Sequence, residues 1–341
     1  MPPMSPTLAI PSLQTSHEAR VEGACDLCHS TEAFLLAEPS LLNSQIVLCG
    51  HCHLMYACPQ LSPDTLDSFY DDDFRNDPGS RMRPGEGLED QDDIRKQDAT
   101  AEWGLDIIKR FTGIKDKKIL NLRCQSGALA ARLKSEGAIV YCVEPFEKNI
   151  QYATKLRGLA EVSLLPFSGF PTLPIPYPFQ FDVINILMHH VLAHILSPRT
   201  LLEKLFEMLV PGGYLFLDEK DVLLPARYKT QSIFESGLAH QYHLTVHTTA
   251  RYLESTGFRL IECQIDKKRI SDFHHIRAIA QKPDVHEIST GGFKSSLPYA
   301  SIREIQQRLE WLRKTWAIRQ AGFFAKRKTS KLMRRLRKHI R

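Results

Sequence analysis

The chain has 341 residues, 43% hydrophobic, 24% charged and 9% aromatic, which is globular rather than disordered or fibrous composition. No apolar run reaches the ~20 residues that a membrane-spanning helix requires, and the opening MPPMSPTLAIPSLQTS lacks the basic-then-apolar order of a secretory signal, so a cytoplasmic protein is expected. The net charge of +5 hides an asymmetry: residues 302–341 carry 14 Lys/Arg against Glu304 and Glu310, whereas residues 64–98 carry 12 acids against 5 bases.

In chain order, residues 1–20 read as a Pro/Ser-rich disordered arm. Residues 21–60 form a small cysteine module. Cys25-x2-Cys28 is followed by Cys49-x2-Cys52, and two such knuckles in a chain without a signal peptide point to metal rather than disulfides. Four thiolates close a tetrahedral zinc shell with no open position, so the expected role is structural. His51 and His53 flank the second knuckle as substitutes for a cysteine. Residues 61–100 read as an acidic linker, with turn signals at Asp77-Pro78-Gly79 and Arg83-Pro84-Gly85.

Residues 101–285 alternate between the two periodicities. KILNL (118–122), AIVYCVE (138–144), EVSLL (161–165), FDVINIL (181–187) and GYLFLDE (213–219) are short apolar strands. GALAARLKSEG (127–137), KNIQYATKLRG (148–158) and RTLLEKLFEMLV (199–210) are helices between them, the last ended by Pro211-Gly212-Gly213. HTTARYLESTG (247–257) is a late helix, and FRLIECQID (258–266) with HHIRAIAQK (274–282) is a closing strand pair. Strict alternation predicts an α/β domain, a parallel sheet with right-handed crossovers and helices on both faces. Ligands on such sheets bind where the strands end, which selects the turns 121–127, 144–147, 165–170 and 187–194.

Several of these segments resemble class I S-adenosylmethionine-dependent methyltransferases. AIVYCVEP is similar to the family's second strand, VLAHILSP to the segment after the fourth, LVPGGYLFLDE to the approach to the fifth, and TARYLESTGFRLIE to the late helix and sixth strand. The cysteine module with LSPDTLDSFYDDDF resembles the zinc-ribbon leader of a bacterial subgroup acting on glycans or secondary metabolites. The resemblance implies a Rossmann-like, doubly wound seven-stranded sheet with an N-terminal zinc ribbon. It also implies a cofactor site at Asn121, Arg123, Gln125, Gly127 and Glu144, with the Glu144 carboxylate on the ribose hydroxyls. The turn departs from the family pattern: Asn121 replaces the usual acid, and Arg123 and Gln125 replace the first two of three glycines. The expectation is either a shifted cofactor with Arg123 pairing with its carboxylate, or a blocked pocket.

The implied activity is methyl transfer to a small molecule or glycan, with a non-catalytic scaffold and an RNA methyltransferase as rivals. Transfer needs chiefly positioning, plus a base where the acceptor must lose a proton. The candidates for that base are His190, with His189 beside it, and Tyr242 and His243, with His240 beside them. In the tail (286–341), Ile302, Ile305, Leu309, Leu312 and Trp316 fall on one helical stripe ahead of KRKTSKLMRRLRKHIR. Three uses are expected of it: contact with an anionic membrane surface at its inner face, contact with nucleic acid, or packing on the domain.

Overall fold

The computed structural model describes residues 23–37, 44–70, 91–160, 162–173, 180–187, 190–223, 240–266, 275–284 and 302–315. The expected arm, most of the acidic stretch, His189 and the basic end of the tail lie outside them.

The cysteine module contributes β1 (Ala33–Ala37), β2 (Gln45–Cys49) and β3 (Met55–Cys58), an antiparallel meander. A short helix α1 (Pro63–Ser68), capped by the Ser62 side chain, leads away from it. Then α2 (Gln91–Phe111) begins ten residues inside the stretch expected to be linker. Its reason is visible in Ala101, Leu105 and Ile108, which recur at helical spacing and are buried against the sheet.

The domain continues as β4 (Lys118–Leu122), α3 (Ala128–Ser135), β5 (Ile139–Glu144), α4 (Glu147–Arg157), β6 (Val162–Leu164) and β7 (Phe181–Ile186). It is completed by α5 (Val191–His194), α6 (Pro198–Met208), β8 (Leu209–Lys220), β9 (Tyr242–His243), α7 (Val246–Ser255), β10 (Arg259–Asp266) and β11 (His275–Gln281). The seven-stranded sheet has the order β10-β11-β8-β7-β4-β5-β6. β6, β5, β4, β7 and β8 run parallel, and β11 is antiparallel to both its neighbours. Strand order reverses between β4 and β7, the position at which open α/β sheets form a ligand crevice.

Both faces of the sheet are covered. Ile119, Val183, Phe216 and Ile279 pack under α2 and α3, while Leu120, Ile184, Leu215 and Leu217 pack under α5, α6 and α7. This explains why the central strands read as continuous apolar runs rather than alternating ones. Pro211-Gly212-Gly213, expected to end a helix, instead lies inside β8. A side chain at Gly213 would meet the Val210 carbonyl at 2.8 Å and the Asp182 carbonyl at 3.1 Å, so glycine there lets β8 approach β7 where their register shifts.

The cysteine module is not separate from this domain. β9 pairs with β3, Tyr56 opposite Tyr242 and Met55 opposite His243, so the sheet β1-β2-β3-β9 draws its last strand from the segment before α7. Cys25, Leu54 and Tyr56 share one core with Phe167, Leu192 and Tyr242. The stripe of the tail lies on a further helix, α8 (Ile302–Lys314). Ile305 packs with Leu48, Met55 and Val222, and Leu309 lies against the same group, so this part of the stripe covers the cysteine module.

Candidate functional site

The four knuckle thiols converge. Cys25 Sγ lies 3.4 Å from Cys52 Sγ, and Cys28 Sγ lies 3.5 Å from Cys49 Sγ. Tetrahedral zinc with bonds of about 2.3 Å places its sulfurs about 3.8 Å apart, so the set fits that ion with small adjustments. The hydrogen bond with Cys49 pushes Cys25 up to about 12, and contact with Cys25 and Cys52 pulls Cys49 down. The cluster on its own thus favours one thiolate, and a divalent cation would stabilise the others. His29 and His53 stand at matching positions, four residues after the first cysteine of each knuckle. Both have φ of +61° and donate their backbone N–H to that cysteine's carbonyl. His53 serves the knuckle through its backbone, and the convergent donor set is the four cysteines.

Asp26, inside the first knuckle, fastens the module to the domain. Its carboxylate accepts from Ser197 Oγ at 2.6 Å, Arg199 N at 3.0 Å and Tyr252 Oη at 2.9 Å. Arg199 returns its Nε to the Asp26 carbonyl and its Nη2 to the Leu27 carbonyl.

On the sheet, the turn after β4 holds the residues expected for the cofactor. Arg123 (φ +57°), Gln125 (φ +51°) and Gly127 (φ +75°) all adopt the left-handed conformation, so the backbone keeps a glycine-type path although two glycines are gone. Glu144, at the end of β5 and fully buried, ties the turn together. Its Oε2 accepts from Gln125 N at 2.7 Å, and its Oε1 accepts from Asn149 Nδ2 at 2.8 Å and Phe146 N at 3.3 Å. Burial raises its pKa, against the opposing pull of Asn149 and Arg123. Asn121 stands apart, accepting from Asn185 Nδ2 at 2.8 Å between β4 and β7.

Just past Glu144, a cavity of about 280 Å³ is lined by Asp67, Tyr70, Pro145, Phe146, Glu147, Leu164, Pro166 and Phe167. The Arg123 guanidinium lies 5.2 Å from the centre of the Phe167 ring and is 1% exposed. Burial lowers its pKa, and Glu144 and Tyr70 oppose that shift. A carboxylate has about four lone-pair sites, of which the protein's donors use three, so Glu144 retains capacity for one ligand hydroxyl. The volume matches the lower end of ligand pockets, about 300 Å³. The cavity thus combines the aromatic residues Tyr70, Phe146 and Phe167 with the acidic Asp67 and Glu147, and Glu144 and Arg123 are buried next to its wall rather than lining it.

A pair that sequence reasoning missed stands on the other side of Tyr70. Its hydroxyl is hydrogen-bonded to His194 Nδ1, and its ring lies 4.4 Å from that of Phe167. Burial drives His194 well below the ordinary histidine range, with His240 and Arg123 adding to the effect, so its imidazole is neutral. The only sequence signal for this pair was the position of each residue, His194 within VLAHILSP and Tyr70 just after LSPDTLDSF.

The expected bases are distributed differently. Tyr242 donates to the Leu196 carbonyl at 2.9 Å and accepts from Gln60 Nε2 at 2.5 Å, which makes it a strut between module and domain. His243 sits in β9 opposite Met55, with burial and nearby Lys220 holding it at about 3. His240 lies 4.5 Å from the His194 ring and so joins this cluster. His190, at φ +50°, stacks instead on His275 at 4.6 Å. The structure thus brings Arg123, Gln125 and Glu144 together and separates His190 from Tyr242.

Residues 95–263 match the family model described as a methyltransferase domain. The chain is 29% identical over 115 residues to the ubiquinone biosynthesis O-methyltransferase of Idiomarina loihiensis, 33% of this chain and 46% of that protein. It is 29% identical over 181 residues to the tRNA U34 carboxymethyltransferase of Glaesserella parasuis, 48% of this chain and 53% of that protein. The chain spans about half the length of the curated relatives it matches. A solved S-adenosylmethionine-dependent methyltransferase from Mesorhizobium loti superimposes with a TM-score of 0.44 at 16% identity, covering 54% of this chain and 99% of that one. What the chain shares with these proteins is thus a methyltransferase-like domain over residues 95–263.

Proposed function

We propose that this protein transfers a methyl group from S-adenosylmethionine to a hydroxyl of a small-molecule or glycan acceptor, with zinc as a structural ion at the four cysteines. The observation that carries this reading is the buried Glu144 carboxylate at the end of β5, held by Gln125 and Asn149 just before Pro145 and Phe146 of the cavity wall, with the Arg123 guanidinium packed on Phe167 of the same wall. When bound, S-adenosylmethionine supplies an electrophilic methyl group on a sulfonium centre. The chain's own part is to accept one sugar hydroxyl at Glu144, to pair Arg123 with the donor's carboxylate, and to keep water from the cavity with Tyr70, Phe146 and Phe167. His194, bonded to Tyr70 of the cavity wall, is the candidate to take the acceptor's proton. The small-molecule class is supported by the modest volume of the cavity and by the aromatic residues Tyr70, Phe146 and Phe167 in its lining. The O-methyltransferase named among the relatives supports the same class.

The rival is a non-catalytic binding protein that keeps the fold, and one observation favours it. Three of the Glu144 acceptor sites are already used by the protein, and Arg123 is almost wholly buried. Isothermal titration of the full-length, zinc-loaded protein with S-adenosylmethionine separates the two. Micromolar binding that weakens at least about tenfold in Glu144→Ala, with circular dichroism unchanged, supports the transferase. No heat at millimolar ligand from folded protein supports the binding protein. A His194→Ala variant that binds the donor normally yet loses about 10²-fold or more in turnover would assign the base.

A further inference from the structure

We propose a second metal site, formed by His190, Asp218 and His275, that takes one divalent transition-metal ion of the zinc class. These three residues come from three different segments. His190 precedes α5, Asp218 lies near the end of β8, and His275 opens β11. Because β11 is antiparallel to β8, its first residue lies at the carboxyl edge of the parallel strands. The site therefore stands at that edge on the β7-β8-β11 side, across the sheet from the cavity at β5 and β6.

The geometry suits an ion. One ligand atom from each residue lies within 4.8 Å of the other two. His275 Nδ1 is 3.5 Å from Asp218 Oδ2, and tetrahedral zinc with bonds of about 2.0–2.1 Å holds its donors about 3.4 Å apart. That edge of the tetrahedron is already formed. The His190 ring is stacked on His275 at 4.6 Å and 12°, so a rotation about its side-chain bonds brings its nitrogen to the same point. All three residues are buried, at 8%, 0% and 1% exposure. His190 is held in the left-handed region, and its ring lies on that of His275 in β11.

The chemistry of the set suits a divalent cation. Two imidazoles stacked this closely and away from water cannot both be charged without mutual repulsion. The buried Asp218 carboxylate, 3.5 Å from His275 Nδ1, supplies the anionic donor of the set. A divalent ion neutralises the carboxylate and coordinates both imidazoles in their neutral form. Two nitrogens and one oxygen match zinc or ferrous iron rather than the all-oxygen shells of magnesium or calcium. Three protein donors leave at least one coordination position for water or another ligand, unlike the closed thiolate set.

The test is metal counting on the full-length protein. Apoprotein is reconstituted with zinc, desalted and measured by mass spectrometry of the metal, then reconstituted in parallel with cobalt(II) for spectroscopy. The expected content is two equivalents of zinc. His275→Ala and Asp218→Asn should each hold one, with the intense thiolate-to-cobalt band near 350 nm retained. Cys49→Ser with Cys52→Ser should hold one, with that band gone and the weak visible bands of a nitrogen/oxygen site kept. A wild type that binds a single equivalent with thiolate spectra, or a folded His275→Ala that still binds two, overturns the proposal. Should His275→Ala fail to fold, Asp218→Asn, close to the original in shape, and the wild-type stoichiometry decide it alone.

Discussion

The Glu144 carboxylate and the backbone N–H of Gln125 meet at 2.7 Å, a bond between the end of β5 and the turn after β4. It explains how a turn without its usual glycines keeps its path. The Gln125 N–H points at the carboxylate only because its backbone is left-handed, at φ +51°. That conformation costs a non-glycine residue about 1 kcal/mol or more.

Gln125→Gly should therefore preserve the bond to Glu144, relieve the backbone and stabilise the protein by up to about 1 kcal/mol. Gln125→Pro removes the N–H and cannot adopt a positive φ, so it should destabilise by about 3 kcal/mol or more. Urea midpoints at constant m-value measure both. A glycine variant less stable than wild type would show that the Gln125 side chain, rather than its backbone, holds the turn.

Asp26 tests whether the cysteine module and the domain are one cooperative unit. Asp26→Ala strands Arg199 N and Tyr252 Oη, which donate to its carboxylate, and leaves Ser197 Oγ only Thr200 Oγ1 as acceptor. The expected loss is about 2–4 kcal/mol, seen as a lower midpoint of a single transition. Two resolved transitions, the first metal-dependent, would mean that the module unfolds by itself.

Much of this arrangement was legible from residues alone, for identifiable reasons. The sheet could be read because β4, β5, β7 and β8 are short apolar runs separated by helical periods. The four-cysteine cluster could be read because the knuckle spacing is local in sequence. Contacts over long separations left no such trace. Gln60 reaches Tyr242 across 182 residues, and Tyr70 reaches His194 across 124. Tyr242 reads as a candidate base in sequence because nothing near it reveals that Leu196 and Gln60 occupy its hydroxyl. The helical start of α2 was hidden by acidic residues, whose charge suggested a linker although their spacing leaves Ala101, Leu105 and Ile108 on one face. The left-handed backbone at Arg123 and Gln125 was equally invisible, because glycine is the usual signal for it.

Glu219 gives a pH signature. Burial pushes its carboxyl up from 4.5 to about 8, against the hydrogen bond from Leu192 N at 2.7 Å. A group with a raised folded pKa contributes stability that is complete below its unfolded pKa and is lost as pH rises through the folded one. Wild type should therefore lose stability relative to Glu219→Gln from about pH 4.5 to about pH 8, by at most about 1.4 kcal/mol per unit, and the difference should level off above that. Comparing the two proteins at each pH cancels the opposite trend of His243, which burial lowers to about 3. Parallel pH curves for the two proteins would contradict this assignment.

Gly127 is the one glycine of the turn that remains, and packing rather than ligand approach explains it. A Cβ there would lie 2.4 Å from Leu159 Cδ1 and 3.1 Å from Ala153 Cβ, so the start of α3 sits directly on the end of α4 and the residues after it. Its φ of +75° adds backbone strain for any side chain. Left-handed strain of about 1 kcal/mol and overpacking of about 1–3 kcal/mol together predict that Gly127→Ala destabilises by about 2–4 kcal/mol. Leu159→Ala in the same chain removes the closest atom and should restore the packing part of that loss but not the strain. The double-mutant cycle in urea therefore separates the two contributions. Full additivity of the two substitutions would mean that helix packing does not select the glycine, and that its place in the turn answers to the ligand instead.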